Sequence, residues 1–178
     1  MLTNSPQRYG IIARLLHWSV AITIVGLFAL GLWMVELTYY DDWYTLAPHY
    51  HNSIGILLGL VMLFRVSWRC YTIQPQMPET LSNKEKQAAH GLHLFLYAVI
   101  FIIIITGYLI PTADNRSIDV FNWFSLPGLG SLFEHQEDIA GNVHFWSAWG
   151  LILLAALHAL AALKHHFIDK DNTLKKML

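Results

Sequence analysis

Apolar residues in this chain collect into long runs, not into the short alternating or helical periods of a water-soluble fold. Four stretches are long enough to cross a bilayer, at about residues 15–35, 51–68, 88–110 and 143–163. Each approaches the ~20 residues that a helix needs to cross a ~30 Å hydrocarbon core. Helices are the expected form, because lipid cannot satisfy the open edge of a strand. The second connection, residues 72–87, contains Pro75 and Pro78 and reads as an extended loop. The third is the longest. Its Phe121-Asn122-Trp123-Phe124 run and Pro127-Gly128-Leu129-Gly130 turn predict either a cap at the membrane interface or amphipathic packing without a further role. The pattern predicts an all-α membrane protein, a four-transmembrane-helix bundle forming a single domain over residues 1–178.

Composition sharpens this picture. Charged residues make up 13% of the chain, against about 25% in soluble proteins, too few to cover a surface facing water. The net charge of -1 excludes the basic face that nucleic acid requires. Cys70 is the only cysteine, which excludes a disulfide framework and a covalent haem motif. Arg8 and Arg14 precede the first apolar stretch, which is too long for a signal-peptide core and lacks a cleavage site after it; it is expected to remain as the first helix.

Charge position predicts orientation. Ten of the eleven Lys and Arg residues flank the same side of the predicted spans, and only Arg116 lies on the other. The first and third connections instead carry Glu36, Asp41, Asp42, Asp114, Asp119, Glu134, Glu137 and Asp138. Basic flanks stay inside, so both termini are expected in the cytoplasm and the acidic connections in the periplasm of a bacterium.

Ten histidines then supply the candidate chemistry. His144 and His158 lie fourteen residues apart on one span, so both point into one seam of a left-handed bundle. At 1.5 Å per residue they are ~21 Å apart, one near each membrane face. His51 matches the depth of His144, and His17 matches that of His158. His93 lies at a depth similar to that of His17 and competes for the inner position. A lone intramembrane histidine serves equally as a proton relay or a helix–helix hydrogen bond, but unpaired polar groups in lipid are costly, so two depth-matched pairs point to coordination. Imidazole is a common axial ligand of haem iron, and two of them leave no vacancy for oxygen, which suits one-electron transfer. Gly55, Gly59 and the alanines around His158 either admit a flat macrocycle or let helices pack closely. Arg14, Arg65 and Arg69 read as helix-end anchors, with Arg65, the deepest, the best placed to pair with a haem propionate. Two rival readings keep some of these features: a haem-bearing membrane anchor for a partner dehydrogenase or periplasmic protein, and a histidine-based metal or proton transporter.

The chain resembles the bacterial cytochrome b-561 family of dihaem membrane proteins. The likeness is carried by Leu16-His17-Trp18, His51-Asn52-Ser53-Ile54-Gly55-Ile56, Gly91-Leu92-His93-Leu94, His144, Leu157-His158-Ala159, His165-His166 and Lys170-Asp171-Asn172-Thr173-Leu174. The resemblance implies two haem b groups, the outer held by His51 and His144 and the inner by His17 and His158, with His93 demoted. It also implies ubiquinone near the inner haem, with His93 and His165 as its neighbours, and a periplasmic electron donor or acceptor. One family member oxidises superoxide at a positively charged outer face and passes the electrons to ubiquinone, so the resemblance also implies superoxide oxidation coupled to ubiquinone reduction as a candidate activity. Here that face is acidic and would repel the anion. A second branch is resembled through Ala29-Leu30-Gly31-Leu32-Trp33-Met34 and Tyr39-Tyr40-Asp41. The implied location is the bacterial inner membrane, among lipid.

Overall fold

The computed structural model describes residues 1–78 and 81–178. Four long helices dominate: α1 (Ile11–Met34), α2 (Leu46–Tyr71), α3 (Asn83–Thr112) and α4 (Gln136–Phe167). All four are long and apolar enough to span a membrane. The helices extend past most ends of the apolar stretches, because backbone hydrogen bonding continues into polar turns. In α3 the earlier start has a local cause. Ser82 Oγ accepts the Glu85 N–H at 3.3 Å while the Glu85 carboxylate accepts the Ser82 N–H at 2.8 Å, a reciprocal cap that satisfies two free donors. The predicted loop at 72–87 is shortened accordingly, and its residues 79 and 80 lie outside the described ones. Helix α4 starts at Gln136, with Glu137 and Asp138 in the first turn, where the helix dipole favours negative charge.

Successive helices run antiparallel, and polar contacts define the two ends of the bundle. At the tail end, the N-terminal segment, the end of α2 and the C-terminal residues are tied together. Asn4 Nδ2 donates to the Ile73 carbonyl at 2.9 Å, the Gln76 N–H to the Pro6 carbonyl at 2.9 Å, and Trp18 Nε1 to the Met177 carbonyl at 3.0 Å. Arg14 also reaches the Leu178 carbonyl. At the opposite end, Gln136 Nε2 donates to the Leu109 carbonyl at 2.9 Å, joining α4 to α3.

The opposite end also holds a feature absent from the sequence reading. Residues Ile118–Val120 (β1) and Phe124–Leu126 (β2) form an antiparallel hairpin with Val120 opposite Phe124. Phe121 and Asn122 both have positive φ, 48° and 57°, as a tight hairpin turn requires. Ser53 of α2, fully buried, pins the hairpin down. Its hydroxyl donates to the Asp119 carbonyl at 3.2 Å and accepts the Phe121 N–H at 3.1 Å.

A small apolar core lies midway between the two ends, formed by Val20, Leu58, Met62, Val99, Ile100 and Leu151. Outward-facing Ile22, Leu94, Ile105, Trp146, Leu153 and Leu160 are exposed, as expected where lipid is the solvent. Backbones of α1 and α2 pack together, as do those of α3 and α4, whereas α4 keeps its distance from α1 and α2. In lipid such close approach rests on packing and polar contacts more than on a hydrophobic drive. A slot therefore separates α4 from α1, and another separates it from α2.

Candidate functional site

Each slot is bridged by a pair of imidazoles. Across the α2–α4 slot, the rings of His51 and His144 have centres 6.1 Å apart and planes inclined at 66°. Across the α1–α4 slot, His17 and His158 are 6.4 Å apart at 69°. Two imidazoles bound to opposite sides of one metal, with bonds of about 2.0–2.1 Å, place their ring centres about 6.4 Å apart. Both pairs match that span. His93 lies closer to His158, at 5.3 Å, which is short for ligands on opposite sides of one ion. Leu151, buried in the core, sits seven residues from each of His144 and His158 and separates the two levels.

The neighbours of these rings explain their placement. His144 Nδ1 donates to the Ile103 carbonyl of α3 at 2.9 Å. A carbonyl can only accept, so the ring proton sits on Nδ1 and the Nε2 lone pair is free to ligate. Gly107 makes this possible, since a Cβ there would stand 3.0 Å from His144 Cε1. Gly31 of α1 leaves room for the His51 ring, with a Cβ position 3.2 Å from His51 Cε1, but His51 Nδ1 is buried without a hydrogen-bond partner. Gly55 and Gly59, the glycines singled out in the sequence, do not cradle a histidine: a Cβ at Gly55 meets nothing within 4 Å, and one at Gly59 meets Ile104. Around His17 the chemistry differs. Its Nδ1 lies 3.1 Å from Arg65 Nη2, and Arg65 Nε donates to the Tyr97 hydroxyl at 3.0 Å.

Among the described residues no three or more His, Cys, Asp or Glu side chains gather as a metal site. Two nitrogens are too few to hold a bare ion of the zinc type, which needs about four ligands. They suffice for an ion that arrives inside a macrocycle with its four equatorial positions already filled.

Comparison with known proteins agrees with that reading. A model of the prokaryotic cytochrome b561 family matches residues 8–178. The chain belongs to this family. It is 51% identical to cytochrome b561 homolog 2 of Escherichia coli over 99% of this chain and 94% of that protein. It is 28% identical to cytochrome b561 homolog 1 of the same organism, covering 92% of each chain. A protein of Yersinia pestis named as a probable superoxide oxidase, CybB, is 27% identical over 97% of this chain and 96% of its own. As a cytochrome b561, the chain is a haem b-binding electron-transfer protein that crosses the bacterial inner membrane several times. The residues present fit haem b: paired imidazoles at the right span, glycines that yield room to the rings, and helices held apart where the rings meet.

The remaining predicted site residues make separate contacts. His93 touches His158. His165 lies instead at the tail end, where its Nδ1 is 2.7 Å from Asp169 Oδ2 and 3.5 Å from Asp171 Oδ2. Lys164 donates to Asp169 at 2.8 Å, and that bond holds the Asp169 carboxyl below its ordinary value of 3.8. At the hairpin end, Asp41 accepts the Thr38 N–H and hydroxyl, which hold its carboxyl below the ordinary 3.8. Arg116, the one cation among the acidic connections, is already paired with Asp114 at 2.7 Å. Sequence reasoning missed Gly31, Gly107, the Ile103 carbonyl and Tyr97. No local pattern announces them, because each acts on a residue many positions away.

Proposed function

We propose that this cytochrome carries electrons across the membrane through two haem b groups, between a ubiquinone pool at the tail end and a redox partner at the hairpin end. The whole of residues 1–178 forms one such transmembrane domain, with the tail end cytoplasmic and the hairpin end periplasmic. The observation that carries the proposal is the stacking of two imidazole pairs ~21 Å apart on α4, each at the span of a shared metal. When bound, haem b supplies reversible one-electron storage at its iron. The protein's own residues do the rest. His51 with His144, and His17 with His158, would each hold one haem iron between two imidazoles, a donor set that suits one-electron transfer. The Ile103 carbonyl fixes the tautomer and aim of His144. Gly31 and Gly107 keep the rings from being pushed aside. His93 and His165 are assigned to the quinone site, His165 beside Asp169 and Asp171 at the cytoplasmic surface, where protons are available.

In this reading the protein is a quinone-linked oxidoreductase whose periplasmic partner is neutral or cationic. With Arg116 neutralised by Asp114, the hairpin end presents an acidic face that repels superoxide. The paired geometry and the family disfavour a bare-metal or proton transporter.

The test is a reduced-minus-oxidised visible spectrum with haem quantitation. Two haems per chain are expected. His144→Ala and His158→Ala should each remove one and leave the other largely intact. Retention of both haems in both variants overturns the assignment.

A further inference from the structure

A small cavity of about 30 Å³ opens at the tail end among α1, α2, α3 and the N- and C-terminal segments, lined among others by Arg65, Trp68, Arg69, Thr72 and Tyr97. Two of these residues carry hydrogen-bond donors that find no acceptor. Arg65 Nη1 and Trp68 Nε1 are both buried and unpartnered. Arg69 spends one nitrogen on Gln74 Oε1, at 3.1 Å. Among the described residues neither Arg65 nor Arg69 has a carboxylate within ion-pair distance. A guanidinium set this deep in a spanning helix is expensive without a counter-charge. The lining offers donors and two positive charges, so the missing group is an acceptor that carries negative charge.

The contact with His17 points the same way. A guanidinium has no acceptor, so His17 Nδ1 must accept from Arg65 Nη2. A neutral imidazole that accepts at Nδ1 carries its proton on Nε2 and cannot ligate iron there. Ligation by His17 Nε2 and donation by Arg65 to Nδ1 exclude each other, so Arg65 needs a second acceptor.

We infer that Arg65 and Trp68, with Arg69 behind them, form a carboxylate-binding site beside His17, and that its occupant is a propionate of the haem held by His17 and His158. This rests on the dihaem reading proposed above. The same oxyanion chemistry is offered by an anionic lipid headgroup, and the test separates the two sources.

The experiment uses the full-length cytochrome in detergent, loaded with haem b labelled with carbon-13 at the propionate carboxylates. Redox-difference infrared spectroscopy and a redox titration are run on the wild type, Arg65→Lys, Arg65→Met and Trp68→Phe. In the wild type a labelled carboxylate band should move when the haem lost in His158→Ala is reduced. Arg65→Met should abolish that shift and lower the reduction equilibrium constant of this haem about tenfold, equal to 59 mV for one electron, leaving the other haem unchanged. Arg65→Lys should keep most of the potential but displace the band, since a point charge replaces a forked donor. Trp68→Phe should displace it less. Unchanged band and potential in Arg65→Met with two haems still bound overturn this inference and leave the dihaem reading standing. A band that disappears on exchange into lipid-free detergent, with no response of the labelled propionate, assigns the site to a lipid and likewise overturns it. Loss of neither haem in His158→Ala overturns the dihaem reading itself.

Discussion

His144 shows how much one hydrogen bond decides at the scale of the residue. Its Nδ1 bond to the Ile103 carbonyl selects the tautomer that leaves Nε2 available. Without that bond the ring could rotate and carry its proton on either nitrogen. Ser53 plays a comparable part for the hairpin, since a single buried hydroxyl satisfies both the Asp119 carbonyl and the Phe121 N–H. Ser53→Ala strands both groups and is expected to cost about 1–3 kcal/mol. Faster amide exchange at Phe121, with haem content unchanged, is the check. Asp169 gives a pH dependence. Its folded-state pKa is depressed by the Lys164 hydrogen bond, so its stabilising contribution is present above the ordinary 3.8 and is lost as pH falls through the lower folded value. Amide exchange in residues 169–178 should therefore rise only in strong acid, and Asp169→Asn should raise it at neutral pH.

At the scale of the element, the glycines that matter are those facing a neighbouring helix's histidine. Gly107 lies four residues before Pro111 in α3. Proline cannot donate to the carbonyl four residues back and crowds it, and glycine tolerates the local adjustment best. The same absence of Cβ admits His144. A branched side chain at Gly107 would overlap that imidazole. On the dihaem proposal, Gly107→Val is expected to lower haem content from two toward one, with the surviving spectrum matching that of His144→Ala. Gly31→Val should act on the same haem through His51. A matching loss of the other haem would show that these glycines serve general packing instead. Helix α3 also shows that an end can be legible when its chemistry is local: Ser82 and Glu85 form a capping box at a spacing that can be read directly.

For the molecule as a whole, charge and depth are arranged along one axis. The basic residues gather at the tail end and the acidic ones at the hairpin end, except for Arg116 and the acidic residues of the tail-end connections. The positive-inside rule then predicts a cytoplasmic tail end. The lone, exposed Cys70 lies near that end and serves as a built-in reporter. In intact cells a membrane-impermeant maleimide should spare Cys70, while Asn122→Cys in the hairpin should be labelled. Labelling of Cys70 without permeabilisation would invert the orientation. The acidic hairpin end also predicts that electron exchange with a cationic periplasmic reductant slows as ionic strength rises, while exchange with an anionic one quickens.

Family membership and four spanning helices were legible in the residues alone. Lipid imposes long apolar runs on any spanning helix, and the motifs around His17, His51, His93, His158 and His165 are each contained in a short stretch of chain. The depth of each histidine followed as well, because depth along a helix is proportional to residue number. Rotation about the helix axis did not follow. His17 and His93 share a depth, and only the packed helices place one at 6.4 Å and the other at 5.3 Å from His158. The hairpin was hidden because strands of three residues are too short to show a period. Gly31, Gly107 and the Arg65–Tyr97 pair became visible only in three dimensions. Sequence alone determined which segments enter the membrane and how deep each polar group lies, since transfer from water acts on each segment separately. Tertiary structure decided which groups meet, since that depends on packing between helices far apart in the chain.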